Sequence, residues 1–203
     1  MNEDISTPDV AVVGGGPAGL AIATALRRLG AGRVSVLERE SVAGGIPRHC
    51  GHPPFGMREF GRILTGPRYA DRLVKRALAK GVSVCTNTTV TSISSGPVLV
   101  VSTPDGVEEM RPRRVILATG VRETPRAARL TSGTRPLGVV TTGALQSSVY
   151  LGNGAPCTRP VIVGSELVSY SALLTCCHRL YYVQPARENS SHHLWVERPS
   201  PGV

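Results

Sequence analysis

In the stretch VAVVGGGPAGLAIATALRRLG, Gly14, Gly16 and Gly19 stand at G-x-G-x-x-G spacing, and Glu38 closes the next strand-like run, RVSVLERE. These residue types in this order suit the binding of a dinucleotide. Gly14 permits a tight turn, Gly16 lets the backbone approach a pyrophosphate, and Gly19 lets a helix pack close to a strand. Pro17 fits the first helical position, where a missing N–H costs nothing, and Ala18 follows it. The N–H groups of that helix start, with the positive end of the helix dipole, face an anion. A carboxylate at Glu38 can accept bonds from both ribose hydroxyls, and its charge disfavours a ribose 2′-phosphate. The adenosine half therefore reads as that of FAD or NAD, not NADP.

Other groups could extend such a site. Arg39 adjoins the acid, Gly44 and Gly45 form a flexible pair beyond it, and Thr119 and Gly120 close a later apolar run, RRVILATG. The segment RHCGH offers His49, Cys50 and His52. An imidazole there could move a proton, since it titrates near neutrality, although each of the three also fits a plain loop role. No fourth ligand stands beside them, so we read no metal site. The five cysteines, Cys50, Cys85, Cys157, Cys176 and Cys177, show no CxxC spacing. That argues against a disulfide framework or a structural zinc and for ordinary reduced thiols.

The elements that must hold these residues are legible as an α/β pattern. Residues 9–13 read as a strand, followed by a helix from Pro17 that Gly30 terminates with positive φ. TGPRYADRLVKRALAKG reads as a second helix with Pro67 near its start and Gly81 at its end. Its apolar stripe is Tyr69, Leu73 and Ala77 with Val74 and Leu78, at i, i+4 spacing. VSVCTNTTVTSIS, PVLVVSTPDG and VEEMRPRRVIL read as successive strands, with a turn at Pro104, Asp105 and Gly106. Residues 115–118 read as a further buried strand.

Taken together, the three ordered motifs resemble the N-terminal part of the pyridine nucleotide-disulphide oxidoreductase superfamily, the flavoproteins with two dinucleotide-binding domains. The resemblance covers about residues 8 to 180. It implies a Rossmann-like α/β FAD-binding fold with a parallel sheet and a small antiparallel meander, then an incomplete second βα unit. It also implies FAD held by Gly14, Gly16, Pro17, Ala18, Gly19, Glu38, Arg39, Gly45, Thr119 and Gly120. The segment RHCGH would then lie near the flavin ring, and flavin itself would carry hydride or electrons. Disulfide-reductase members carry a CxxxxC pair there, whereas Cys50 stands alone, so a dithiol mechanism through that pair is excluded. GGIPRHCGHPPFGMREFGRILTGPRYADRL and GTRPLGVVTTGALQ resemble, more narrowly, the FAD-dependent dehydrogenases that accompany glycerol-3-phosphate oxidation. More distantly they resemble the flavoprotein subunits of hydrogen cyanide synthase and opine oxidase.

The resemblance places a second strand, turn and helix at RPVIVGSELVSYSALLTCCHRL. Its turn keeps only Gly164, and Glu166 occupies the second-glycine position. A carboxylate there repels a pyrophosphate that needs close backbone approach, so NAD(P)H binding at this turn is doubtful. A partner redox subunit could take the electrons instead. The expected domains are residues 1–158 for FAD, 159–180 for the incomplete second unit, and 181–203 as an irregular tail. The tail includes 189–193, which read as disordered and not as a metal tract. The Gly-Asp dipeptide of the superfamily's return segment occurs nowhere in these 203 residues, so the chain reads as a fragment of a longer enzyme. The alternative is a non-catalytic remnant that binds a cofactor or a subunit.

Bulk properties narrow the remaining classes. A hydrophobic content of 41% allows a real core, and no apolar run is long enough to span a membrane. The start MNEDIS reads as lacking a signal peptide, which points to a cytoplasmic protein. The net charge of +9 raises nucleic-acid binding, yet the bases cluster only mildly, at 48–80 and 111–135, with no aromatic interleaving. We expect no nucleic-acid partner.

Overall fold

The computed structural model describes residues 7–124, 128, 133–134, 138–154, 157 and 159–181, with backbone only for 178–181. The expectations for residues 1–6 and for 182–203, including 189–193, lie outside the described residues. Four short strands make a parallel sheet in the order β3-β2-β1-β7: β1 is Val10–Val13, β2 Val34–Leu37, β3 Ser83–Cys85 and β7 Arg114–Leu117. A second, antiparallel sheet holds β4 (Thr89–Ser94), β5 (Val98–Thr103) and β6 (Gly106–Met110). This is the Rossmann-like arrangement expected from the sequence.

β1 is central, paired with β2 from Val10↔Val34 to Val13↔Leu37 and with β7 from Val10↔Arg114 to Val13↔Leu117. Side chains alternate across a strand, and here both faces are covered. Val12, Val34 and Val36 pack against Leu20 and Ala23 of α1 (Pro17–Arg28) and Leu73 and Ala77 of α3 (Gly66–Leu78). Ala11 and Leu37 pack the other way, on Leu99, Val101 and Met110 of the meander. Coverage on both faces explains why β1 (VAVV) reads as an unbroken apolar run and why β2 (VSVL) is buried throughout, Ser35 included. Gly30 ends α1 at φ 82°, as expected.

Two expected strands are each divided. The run 82–94 breaks at Asn87, which takes φ 52°. Its first part joins the parallel sheet and its second part opens the meander. Asn87 N–H donates to the Glu40 carbonyl at 3.0 Å and Thr88 N–H to the Glu38 carbonyl at 2.8 Å, so the break is tied to the end of β2. The run 107–117 breaks around Pro112, which has no N–H for a ladder, and returns as β7. Residues 115–118 are not the buried strand expected. β7 is an edge strand whose Val115 and Ile116 are half-buried and whose Leu117 is 63% exposed. On α3, Tyr69, Leu73 and Ala77 are buried with Ala70, while Leu78 points into solvent.

A short helix α2 (Met57–Phe60) precedes α3, and two helices, α4 (Thr142–Tyr150) and α5 (Leu167–Tyr181), pack on each other. The sequence reading found α5 but not α4. Of the second βα unit the helix is present after Gly164, while residues 161–163 join neither sheet. Val161 and Val163 stand 89% and 93% exposed. No helix among the described residues is long and apolar enough to cross a membrane.

Leu73 is 1% exposed and Leu78 52% exposed on the same helix. Leu73→Ala should therefore cost about 2–5 kcal/mol of unfolding free energy, and Leu78→Ala no more than about 0.5. Urea titration checks this, and equal losses would contradict the assigned helix face.

Candidate dinucleotide site

The turn between β1 and α1 is built by three close approaches. Gly14 takes φ 109°, and its N–H donates to the Leu37 carbonyl at 2.9 Å. A Cβ on Gly14 would strike the Ala118 carbonyl, and a Cβ on Gly19 would strike the Gly14 carbonyl. Gly19 is thus a packing residue that seats the helix. Gly16 differs: a Cβ there would meet nothing nearer than the Gly45 Cα at 4.0 Å. Its openness is the space a ligand backbone contact requires. No side chain caps α1 at Gly16, so the first-turn N–H groups remain available to an anion.

Glu38 leaves the end of β2 with its side chain 7% exposed. One carboxylate oxygen accepts the Gly15 N–H at 2.8 Å, and the other accepts the Glu40 N–H at 3.0 Å. An ionised carboxylate offers about four lone-pair sites, so acceptor capacity remains after both bonds. Gly45, at φ 62°, crosses beside Gly16 and leads into the 3₁₀ turn Ile46–His49. Gly44 N–H donates to the Gly15 carbonyl at 2.8 Å, binding that segment to the glycine turn.

These parts surround a cleft of about 550 Å³ at the carboxyl ends of β1, β2 and β7, within the usual range for ligand sites. The cleft wall includes Gly14, Gly16, Pro17, Ala18, Glu38, Arg39, Gly45, Thr119, Gly120 and His49. Gly19, Cys50 and His52 are not among its lining residues. An uncapped helix start, an open Gly16 and a buried carboxylate with spare acceptor sites fit the pyrophosphate and ribose of a dinucleotide.

The RHCGH residues diverge. The His49 Nδ1 is buried with no hydrogen-bond partner. Burial and the neighbouring Arg48 pull its pKa below the ordinary imidazole value, with Glu40 pulling weakly the other way. Cys50 sits under the cleft, its thiol turned to the Ile46 carbonyl at 3.5 Å, and burial pushes its pKa up. It is a packed thiol, not a thiolate. His52 hydrogen-bonds through Nδ1 to its neighbour's Pro53 carbonyl at 2.9 Å and leans on Phe55. Among the described residues no three His, Cys, Asp or Glu side chains converge to hold a metal ion.

Sequence reasoning missed part of the wall. Arg48, Thr88, Thr89, Ser147 and Leu151 also line the cleft. Arg48 donates to the Val42 carbonyl at 2.7 Å and faces Glu40 at 3.8 Å. Ser147 and Leu151 are brought in by α4, which Glu123 fixes: its carboxylate accepts the Thr142 and Gly143 N–H groups at 3.3 and 2.7 Å. Thr141 adds a cap by accepting the Ala144 N–H at 3.3 Å. The Thr-Thr-Gly start of α4 was the available signal, since threonine favours the N-cap.

Fold and turn together define a Rossmann-like α/β domain. Residues 8–122, more than half of the chain, match the family described as Pyridine nucleotide-disulphide oxidoreductase; the chain belongs to that family. No curated protein matches it. Among solved structures it is similar to L-proline dehydrogenase from P. horikoshii, at 27% identity over 59% of this chain and 24% of that one, TM-score 0.48. It is also similar to a thioredoxin reductase from Gloeobacter violaceus, at 26% identity over 64% and 42%, TM-score 0.47. A third is CabE, an aromatic hydroxylase from angucycline biosynthesis, at 26% identity over 61% and 33%, TM-score 0.46. The chain thus spans between 24% and 42% of the length of these three structures.

The glycines should separate by substitution. Gly19→Ala should destabilise by about 1–3 kcal/mol through overpacking, while Gly16→Ala, in backbone any residue adopts, should cost less than about 1 kcal/mol. Thermal unfolding of both variants reads the difference, and the reverse order would refute the assigned roles.

His49 gives a pH test. Its folded pKa is depressed, so near the unfolded value of about 6.5 the folded chain binds fewer protons than the unfolded one. Its share of stability is complete above that value and is lost as pH falls through it. His49→Gln should flatten the difference between melting curves at neutral pH and at about pH 5, and an unchanged slope would remove the assignment.

Proposed function

We propose that this chain is the FAD-binding portion of a cytoplasmic flavoprotein oxidoreductase. The observation that carries the proposal is the buried Glu38 carboxylate, clasped by the Gly15 and Glu40 N–H groups beside the open Gly16 turn. In this reading the backbone at Gly14, Gly16, Ala18 and the α1 start receives the pyrophosphate, and the free acceptor sites of Glu38 take the ribose hydroxyls. Arg39, Gly45, Thr119 and Gly120 bound the cofactor along the cleft. Gly19 serves by seating the helix. Bound flavin would supply hydride or electron transfer, while the chain positions and shields it.

In this reading His49, which lines the cleft and whose pKa burial and Arg48 lower, would accept a proton there. Cys50 and His52 carry no such role. The Gly164 turn, with Glu166 in it, is not assigned NAD(P)H, and electrons would pass to a partner redox subunit. On the narrower resemblance, we place the intact enzyme near the dehydrogenases that accompany glycerol-3-phosphate oxidation. Residues 1–158 then form the FAD unit and 159–180 the start of a second one. A second reading, a non-catalytic cofactor-binding remnant, is favoured by the solvent-facing Val161 and Val163, which complete no strand.

The test uses the full chain incubated with FAD and freed of excess. Flavin absorbance should co-elute with folded protein, and Gly16→Ala should weaken retention at least about tenfold, a loss of 1.4 kcal/mol, while its melting temperature stays near that of the parent. A folded parent that remains colourless would overturn the proposal. Flavin retained without turnover of any amine or hydroxy donor would select the second reading.

A further inference from the structure

Cys157 and Cys176 bring their sulfur atoms to 3.9 Å from one another across a gap of 19 positions. Cys157 is exposed, on the segment after α4, and Cys176 is 2% exposed on the inner face of α5. A disulfide bond is about 2.0 Å long, so a shift of about 2 Å, the scale of a rotamer change at an exposed side chain, would close it. Cys177 is the neighbouring thiol, only half-buried, yet the contact is made by Cys176. The sequence reading treated these cysteines as unrelated thiols, because 157 and 176 have no motif spacing; the packing of α5 is what joins them.

We propose that Cys157 and Cys176 are a reversible disulfide-forming pair whose oxidant is a low-molecular-weight disulfide. The exposed Cys157 thiolate attacks one sulfur of that disulfide. The small S–S bond breaks, one small thiolate departs, and Cys157 carries the other half. Cys176 then loses its proton and attacks the Cys157 sulfur, expelling the second small thiolate. Two protein thiols become one disulfide and the small disulfide becomes two thiols, whose sulfurs take up the two released protons. Burial, reinforced by the Cys157 contact, pushes the Cys176 thiol up to about 11, so Cys157 is the thiol that attacks first and Cys176 the one that resolves.

The bond would reach the cleft through packing. α5 is joined to α4 by the Gln146 amide, which donates to the Ser171 hydroxyl at 2.6 Å. Ser147 and Leu151, next along α4 and just past its end, line the cleft. Oxidation would fix the Cys157 segment onto α5 and so hold that wall in place.

The experiment uses the full chain without added flavin, so its outcome is independent of cofactor binding. The folded chain is treated with oxidised glutathione, trapped with acid and an alkylating agent, and mapped by mass spectrometry without reductant. Two of the five thiols should disappear, the peptides bearing Cys157 and Cys176 should be joined, and a dithiol reductant should restore both. Cys177→Ser should leave the cross-link intact, whereas Cys157→Ser, a change at an exposed site, should abolish it. A Cys157–glutathione adduct that persists, a bond from Cys157 to Cys177, or no thiol loss would each overturn the proposal.

Discussion

The structure depends on how closely α1 can approach the end of β1. That distance is set by hydrogen atoms where side chains would otherwise stand: Gly19 lies against the Gly14 carbonyl, and Gly14 lies against the Ala118 carbonyl. Only when the helix is seated this deeply do Leu20 and Ala23 reach Val12, Val34 and Val36 to form the helical side of the core. The same seating directs the helix start at the carboxyl ends of the strands. Packing and the opening of the cleft are therefore consequences of one steric fact.

The opposite face is organised from the end of β2. The backbone of Glu38 bonds both to β3, through its N–H to the Cys85 carbonyl at 2.8 Å, and to the entry of the meander, through its carbonyl to Thr88. The meander in turn supplies Leu99, Val101 and Met110 against Ala11 and Leu37. One residue thus fixes where the parallel sheet ends, where the antiparallel sheet begins and where the carboxylate projects. Such concentration is typical of open α/β sheets, whose ligand crevices lie outside the carboxyl ends of the strands.

Legibility followed the range of the interaction. The glycine turn, α1, β2 and α3 were readable because each is specified within some twenty residues by backbone sterics and apolar period. The meander was readable as strands, and the resemblance implied its antiparallel arrangement, but the point where it leaves the parallel sheet was not readable. The change at Asn87 depends on bonds to Glu38 and Glu40, which no local pattern announces. β7 read as buried because its residues are apolar, yet burial comes from neighbours, and an edge strand has only one. Among site residues, those in the turns lie on the cleft because backbone motifs place them there. Ser147 and Leu151 escaped notice because α4 is positioned by Glu123, about twenty residues upstream, through a bond only the fold creates. Cys50 and His52, chosen for reactive side chains, were turned away from the cleft by ordinary packing.

Glu38 has a structural role that does not depend on any ligand. A buried carboxylate is costly unless its charge is met by donors, and two backbone N–H groups meet it here. Both donors belong to segments that border the cleft, Gly15 in the first turn and Glu40 beyond β2. Satisfying the charge therefore draws those segments together. An amide in its place could accept only one of the two N–H groups and would turn its own N–H₂ towards the other. A shorter acid would not reach from β2 to Gly15 without moving the strand. The closure of the turn thus selects this side chain on structural grounds alone, and the same carboxylate keeps acceptor sites that border the cleft.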